Sequence, residues 1–149
     1  MIKRNHEAVR RIQFCAGHRV HKHESKCAHP HGHNYVAFIH ARVRVQESFG
    51  ELDDIGRVID FSVLKERVGT WIDENWDHGF IYMKGDLDME IIFKDSDYKN
   101  YPMVKNPTAE NMAQHLVRDI CPKLMEGTNV HIHKVVIWET ENCHAIYHK

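Results

Sequence analysis

Residues 31–46 read HGHNYVAFIHARVRVQ, and from Tyr35 to Gln46 the apolar and polar side chains alternate. Successive side chains of a β-strand point to opposite faces of a sheet, so this alternation predicts a long strand that is buried on one side. The same spacing places His31 and His33 side by side at the start of the strand, with Gly32 leaving room between them. The residues expected on the buried face are Tyr35, Ala37, Ile39, Ala41, Val43 and Val45.

Three further segments have the composition of strands, and polar turn residues separate the last two of them. They run from about Ala8 to Ala16, from Val130 to Glu139 and from Cys143 to His148. His18 is therefore expected at the end of the first strand, close to the start of the second.

Two helices are predicted between these strand pairs. The first begins after Asp60, which is expected to cap it. The second begins near Asn106-Pro107-Thr108, with the asparagine as cap and the proline as the first helical residue, and Pro122 is expected to end or bend it. The apolar stripes are Phe61, Leu64, Val68, Trp71 and Ile72 in the first helix and Met112, Ala113, Leu116, Val117 and Ile120 in the second.

The resulting order, β-β-α-α-β-β, indicates an α+β fold in a single domain, residues 1–149. Helices that fall together between two strand pairs favour a four-stranded antiparallel sheet with both helices on one face. The 20 basic and 21 acidic residues give a net charge of −1, which argues against nucleic acid or a membrane surface as a partner. Four cysteines without close pairing, and no apolar run long enough to span a membrane, predict a cytoplasmic protein.

Six of the 14 histidines fall between His18 and His33, and this concentration predicts a metal site. Three imidazole ligands that leave one position open are typical of catalytic zinc. His18 with His31 and His33 is the favoured set, and His21, His23 and His29 are the competing ligands. The main alternative is a closed structural site with Cys27 as the fourth ligand.

Two acidic positions are further candidates for chemistry. Asp77 precedes His78, and a carboxylate beside an imidazole fixes its tautomer for proton transfer; the alternative is an exposed cap at a helix end. Glu139 ends an apolar strand, where a partly buried carboxylate could accept two parallel N–H groups of a flat heterocycle. The alternative for Glu139 is a surface ion pair with a lysine.

These residues belong to a longer set of motifs that spans Phe14 to Tyr147, nearly the whole chain. The motifs are Phe14-Cys15-Ala16-Gly17-His18, Cys27-x3-His31-Gly32-His33-Asn34-Tyr35, Asp60-Phe61 with Leu64-Lys65, Asp77-His78, Pro107-Thr108-Ala109-Glu110-Asn111, and Glu139-Thr140 followed by Ala145-Ile146-Tyr147. With these motifs in this order, the chain resembles the 6-pyruvoyltetrahydropterin synthase and 6-carboxytetrahydropterin synthase family, and the resemblance implies the tunnelling fold (T-fold).

Three residues separate Cys27 from His31, a spacing that looks like the bacterial 6-carboxytetrahydropterin synthases of queuosine and other deazaguanine biosynthesis. The implied reaction converts 7,8-dihydroneopterin triphosphate to 6-carboxy-5,6,7,8-tetrahydropterin, acetaldehyde and triphosphate. The alternative within the family is the pyruvoyl-forming synthase, which releases triphosphate only. A non-catalytic zinc-binding protein is the alternative from another class.

The resemblance also implies roles for single residues. His18, His31 and His33 would hold Zn²⁺, Cys27 would be the proton-abstracting base, and His78, oriented by Asp77, would relay protons. Glu139 would grip the pterin ring, with Thr108 and Glu110 as secondary candidates in that pocket, although Thr108 could equally be a helix cap. His21, Lys22 and His23 are candidates for binding the triphosphate.

The resemblance further implies trimers that stack into a homohexamer, in which Cys27 and His78 meet across an interface. One segment departs from compact members of the family. Residues 81–106 form a longer stretch, rich in charge from Lys84 to Lys99, and the sequence leaves open whether it reaches the active site or covers an outer surface.

Overall fold

A computed structural model describes residues 4–44 and 50–149, which form one mixed six-stranded sheet. The strands are β1 (Ala8–His18), β2 (His31–Val43), β3 (Gly79–Met83), β4 (Asn100–Met103), β5 (Val130–Thr140) and β6 (Cys143–His148). Across the sheet the order is β4-β3-β1-β2-β5-β6. Strand β2 is antiparallel to β1 and β5, β5 is antiparallel to β6, and β3 is parallel to β1 and β4.

The four predicted strands are present and form an antiparallel unit, but the predicted count of four strands is corrected to six. The additional strands, β3 and β4, span only five and four residues. Strands this short show no extended alternation in sequence, and they are held by pairing in parallel beside β1. The predicted end of the second strand, Val45 and Gln46, lies outside the described residues.

Two long helical segments and one short helix accompany the sheet. Each long segment is continuous and contains a π-helical turn in its middle. The first, α1, comprises Phe61–Leu64, π-helical Lys65–Gly69 and Thr70–Asn75; α2 is Leu87–Phe93; the second long segment, α3, comprises Ala109–His115, π-helical Leu116–Ile120 and Cys121–Leu124. Within the described ranges, no helix is both long and apolar enough to span a membrane.

The two long helices differ in how well their starts were predicted. The Asp60 carboxylate accepts a hydrogen bond from the Ser62 N–H at 2.8 Å, which confirms it as the cap of α1. For α3 the predicted cap Asn106 and first residue Pro107 are wrong, because Thr108 caps the helix by accepting from the Asn111 N–H at 3.1 Å. Asn106 instead bonds both backbone groups of His21, at 2.7 and 3.0 Å, so it fixes the loop after β1.

The core lies between one face of the sheet and the two long helices, as the sequence predicted. Tyr35, Ala37, Ile39 and Ala41 are fully buried on β2, and the predicted stripe of α3 is buried or partly buried. Phe61 is an exception, because it is 57% exposed at the first turn of α1. The buried apolar side chains of α1 are Leu64, Val68 and Ile72.

Residues 81–106 complete a β-α-β unit at the edge of the sheet, in which α2 connects the parallel strands β3 and β4. The Asp86 side chain, which is fully buried, forms an ion pair with Arg19, and Arg19 Nε lies 2.6 Å from Asp86 Oδ2. This ion pair holds the segment against the chain just after His18. The segment therefore borders the histidine end of β1 rather than a remote surface.

Candidate metal centre

His18, His31 and His33, the histidine cluster, converge at one end of the sheet. In the antiparallel register of β1 and β2, His18 lies opposite His31 and Ala16 lies opposite His33, so all three side chains point to the core face. The ring centroids are 4.6 Å apart for His18 and His31, 5.1 Å for His18 and His33, and 4.9 Å for His31 and His33. Each ring offers a nitrogen within 4.8 Å of the others.

The outer nitrogens of two rings are held by backbone carbonyls. His18 Nδ1 donates to the Pro107 carbonyl at 2.8 Å, and His31 Nδ1 donates to the His29 carbonyl at 2.6 Å. A carbonyl oxygen can only accept a hydrogen bond, so Nδ1 carries the proton in both rings. In the neutral form of each ring, Nε2 therefore has a free lone pair. Such outer contacts orient imidazoles that bind metals.

The inner nitrogens of the cluster have no hydrogen-bond donor among the described residues. The Nε2 atoms of His18 and His31 face each other at 3.0 Å as two acceptors, which cannot bond to each other. His33 Nε2 is buried and has no hydrogen-bond partner among the described residues. Burial lowers the pKa of His18 to about 4 and also lowers the pKa of His33, so these imidazoles are neutral ligands at pH 7. The donor set fits a divalent ion such as zinc.

Two of the competing histidines have contacts outside the cluster. His21 Nδ1 lies 3.7 Å from Asp86 Oδ1, and His23 Nδ1 accepts from the Ser25 N–H at 2.9 Å. Cys27 lies half-buried in a short 3₁₀ turn, Lys26–Ala28, and the clustered ligand atoms of the described residues do not include its sulfur. The arrangement is thus a three-histidine set, and His21, Lys22 and His23 follow β1 in the adjoining loop.

Gly32 lies where β1 approaches β2 closely. A Cβ built on Gly32 would lie 3.1 Å from the Ala16 carbonyl oxygen, a contact tighter than nine in ten real Cβ contacts. A side chain here would require the backbone of β1 to give by a few tenths of an ångström. The room that Gly32 provides is therefore on the side of β1, not between the imidazoles.

Glu139, at the end of β5, borders the cluster. Its Oε2 lies 3.8 Å from His33 Nε2. Burial raises the pKa of Glu139, and the negative charge of nearby Glu110 raises it further. Glu139 and His33 both line a groove of about 780 Å³ on the sheet, together with Arg11, Gln13 and Trp138.

The Thr108 hydroxyl is engaged as the cap of α3, which corresponds to the alternative interpretation of that residue.

Asp77 and His78 form a second group beside the cluster. Asp77 accepts from His78 Nδ1 at 2.9 Å through one carboxylate oxygen and from the Cys15 N–H at 3.0 Å through the other. Burial acts to raise the pKa of Asp77, but these hydrogen bonds together lower it, so the carboxylate is ionised. His78 Nε2 is left free and faces Cys15 Sγ at 3.6 Å.

The sequence interpretation missed Cys15. Among the described residues the thiol in hydrogen-bonding reach of His78 is Cys15 and not Cys27. The contact forms because the chain returns to β1 shortly after α1 ends. There the His78 N–H donates to the Cys15 carbonyl at 2.7 Å. No local pattern encodes that pairing, although a cysteine three residues before His18 on the opposite strand face was a clue.

Comparisons with known proteins agree with this geometry. The profile of the family described as 6-pyruvoyl tetrahydropterin synthase matches residues 7–149. The 6-carboxy-5,6,7,8-tetrahydropterin synthase of Rickettsia felis is 41% identical over 138 residues, which cover 92% of this chain and 96% of the relative. The enzyme of the same name from Aquifex aeolicus is 29% identical, with 95% of this chain and 96% of the relative covered.

Two solved structures are similar in fold. An uncharacterized protein from Wolinella succinogenes superposes with a TM-score of 0.76 at 22% identity, covering 97% of this chain and 98% of its own. The 6-pyruvoyl tetrahydropterin synthase of Caenorhabditis elegans superposes with a TM-score of 0.60 at 25% identity, covering 99% of both chains. The chain therefore has the T-fold of these proteins.

Proposed function

This chain belongs to the 6-pyruvoyl tetrahydropterin synthase family, and we propose that it is a 6-carboxy-5,6,7,8-tetrahydropterin synthase. The reaction converts 7,8-dihydroneopterin triphosphate to 6-carboxy-5,6,7,8-tetrahydropterin, acetaldehyde and triphosphate. Relatives that are 38–41% identical over 92% of this chain carry the name of this activity. The three-residue spacing between Cys27 and His31 supports the same branch of the family.

One structural observation carries the proposal: His33 Nε2, which belongs to the histidine cluster, lies 3.8 Å from the partly buried carboxylate of Glu139. The cluster is suited to hold Zn²⁺, which supplies a Lewis acid for the side-chain oxygens of the substrate. Glu139 is suited to the other end of the same molecule, because a carboxylate accepts two parallel N–H groups of a flat ring. Together they would fix the pterin with its side chain directed at the histidines.

His78 is proposed to move protons at the substrate side chain. Its Nδ1–H is held by Asp77 at 2.9 Å, so its Nε2 is the atom that accepts and returns a proton. Cys27 is proposed as the base that removes a proton from a side-chain carbon, because its turn leads directly into the strand that carries His31 and His33. Glu110 is proposed to support Glu139, whose pKa its charge raises.

The proposal includes assembly into trimers that stack as a homohexamer. The sheet has two outer strands, β4 and β6, and open strand edges favour pairing with another copy of the chain. A cytoplasmic location, a role in queuosine or other deazaguanine biosynthesis, and triphosphate binding by His21, Lys22 and His23 belong to the same proposal. Four free thiols support the reducing compartment.

Product identification tests the activity directly. The zinc-loaded protein is incubated anaerobically with 7,8-dihydroneopterin triphosphate, and the products are identified by mass spectrometry. We expect carboxytetrahydropterin and acetaldehyde, with turnover lost in Cys27→Ala while its zinc content stays unchanged. Cys143→Ala, which changes an exposed thiol on β6, is the matched control.

The other outcomes separate the alternatives. A pyruvoyl product without acetaldehyde would assign the chain to the pyruvoyl-forming branch. Absence of turnover with zinc bound would support a zinc-binding protein that is not a catalyst.

A further inference from the structure

Lys99, which lies in the charged segment 81–106 just before β4, contacts the end of α1. Its ammonium nitrogen donates to the Asp73 carbonyl at 2.5 Å and also to the Asp77 carbonyl. The last carbonyls of a helix have no partner within the helix and carry a partial negative charge, so a cation at this position is favourable. The contact ties the segment to the turn that carries Asp77 and His78.

The peptide group between Asp77 and His78 is held on both sides. Its carbonyl accepts from Lys99 Nζ, and its N–H donates to the Cys15 carbonyl at 2.7 Å. Rotation of this peptide plane would break both contacts and change the φ angle of His78. That angle is +58°, in the left-handed region that residues other than glycine rarely adopt, and such a conformation persists where the surrounding structure holds it.

The rest of Lys99 is also fixed in place. Its backbone carbonyl accepts from the Phe80 N–H at 3.1 Å. Its aliphatic stem passes over Gly79, where an added Cβ would lie 3.2 Å from Lys99 Cγ. The absence of a side chain at Gly79 therefore lets the ammonium group reach the turn beside His78.

The charge of Lys99 acts on the same turn. Burial acts to raise the pKa of Asp77, whereas its hydrogen bonds to the Cys15 N–H and to His78 lower the pKa. The positive charge of Lys99 lowers the pKa of Asp77 further. The ionised carboxylate accepts from His78 Nδ1 at 2.9 Å, which keeps the proton on Nδ1 and leaves Nε2 to accept another.

We propose that Lys99 is a positioning residue for proton transfer by His78, because it fixes the peptide group that joins His78 to Asp77. This role rests on the proposed function, in which His78 moves protons at the substrate side chain. Lys99 acts through the turn and makes no contact with the histidine cluster or Glu139 among its hydrogen bonds. The extra length of segment 81–106 would then serve the active site, because it supplies this lysine.

Steady-state kinetics of acetaldehyde release by Lys99→Met test this role, since methionine keeps most of the stem and removes the ammonium group. We expect kcat to fall about tenfold, which is part of the roughly 100- to 10,000-fold that a positioned proton-transfer group contributes. KM should stay unchanged, because the ammonium group is directed at backbone carbonyls. Lys94→Met, which changes an exposed lysine just after α2, is the matched control and should leave both constants unaltered. A wild-type kcat in a folded Lys99→Met protein would overturn the proposal.

A readout at His78 itself does not depend on turnover. Nitrogen-15 NMR of the imidazole rings, recorded above the pH range in which histidine titrates, reports which ring nitrogen carries the proton. His78→Asn, which keeps a residue that tolerates the left-handed backbone, assigns the His78 signals. We expect the Nδ1–H tautomer in the wild type and in Lys94→Met, and a mixture of both tautomers in Lys99→Met.

Circular dichroism and zinc content check the fold of each variant. An unchanged His78 tautomer in folded Lys99→Met would overturn the role of Lys99, whether or not the protein turns over its substrate. A wild-type protein without turnover, together with a changed tautomer in Lys99→Met, would count against the proposed lyase and not against the hold of Lys99 on His78.

Discussion

The two ends of β2 each carry a three-residue group that could hold a metal, yet the groups are built in opposite ways. The histidine cluster presents lone pairs to one another. In the second group, the Glu7 cluster of Glu7, His40 and His133, the carboxylate accepts from His40 Nδ1 at 3.0 Å and from His133 Nε2 at 2.6 Å. Arg42 adds a positive charge 3.6 Å from the same carboxylate.

The difference shows that unsatisfied donors and acceptors, rather than residue types, distinguish an open ligand set from a closed network. Every converging atom of the Glu7 cluster already has a partner of opposite character, so a cation would have to displace protons and approach Arg42. The Nε2 atoms of His18 and His31 have no proton to share, and a cation would relieve these two facing acceptors. We therefore expect a metal at the histidine cluster and a structural role for the Glu7 cluster.

Removing one ligand from each group tests this comparison with the largest expected effect. His31→Ala should weaken zinc binding on the order of 100-fold or more, because even changes to groups that only orient ligands cost about 10- to 100-fold. His133→Gln, the matched variant in the Glu7 cluster, should leave one zinc per chain. Zinc content after dialysis against a weak chelator, followed by competition titration, measures both. Loss of bound zinc in His133→Gln but not in His31→Ala would reverse the assignment.

The carboxylates at the two groups should have different roles, Glu139 in substrate binding and Glu7 in stability. Glu139→Gln removes the proposed charged acceptor for the pterin and should lower kcat/KM by about tenfold to 100-fold, since a hydrogen bond to a charged group contributes about 1.5–3 kcal/mol. Steady-state kinetics of acetaldehyde release measure this. Glu66→Gln, on the exposed side of α1, should leave the kinetics unchanged. An unaltered kcat/KM in Glu139→Gln would remove Glu139 from the substrate site.

Glu7→Gln should instead affect stability. It removes the charge shared by His40 and His133, and because Glu7 is partly exposed we expect a loss of roughly 1 kcal/mol in the free energy of unfolding. Urea unfolding of the zinc-free protein measures this, and His148→Gln at the exposed end of β6 is the control. A stable Glu7→Gln protein that has lost zinc would show that the closed network is a ligand set after all.

The pH dependence of stability should also reflect a buried histidine near the Glu7 cluster. Burial lowers the pKa of His131 to about 4, and the nearby positive charge of Arg4 adds to this. Its ordinary value of 6.5 applies in the unfolded chain, so between pH 6.5 and 4 the unfolded state binds more protons. The free energy of unfolding should therefore fall as the pH drops through this range, and above pH 6.5 His131 should contribute no slope.

Urea unfolding of the zinc-free protein at several pH values measures this slope, and His131→Gln should reduce it. The buried His18, whose pKa is also lowered to about 4, contributes in the same direction and remains in the variant. An unfolding free energy that stays constant or rises from pH 6.5 to 4 would contradict the burial of neutral imidazoles.

The parts of the site that sequence predicted are those encoded by local spacing. His31 and His33 share a face because they are two apart on a strand, and Asp77 orients His78 because the two are adjacent. Asp60 caps α1 by contacting Ser62, two residues away. Each of these relations lies within a few residues, where strand and helix geometry leave few alternatives.

The parts that the sequence did not predict depend on contacts between distant residues. Asn106 looked like a helix cap, but it bonds His21, 85 residues away, and leaves that role to Thr108. The strands β3 and β4 are too short to show a pattern, and they form because β1 offers a free edge. The Cys15–His78 contact joins residues 63 apart in sequence.

The sequence by itself determined which side chains carry the chemistry and which face of each strand presents them, because periodicity is a local property of the backbone. Only the tertiary structure decided which hydrogen-bond acceptors remain unsatisfied. Pro107 and His29 take the outer protons of the histidine cluster, whereas Glu7 accepts both protons of its own cluster. A lone pair becomes available for a ligand only after every other partner in the fold has been placed, and that placement is non-local.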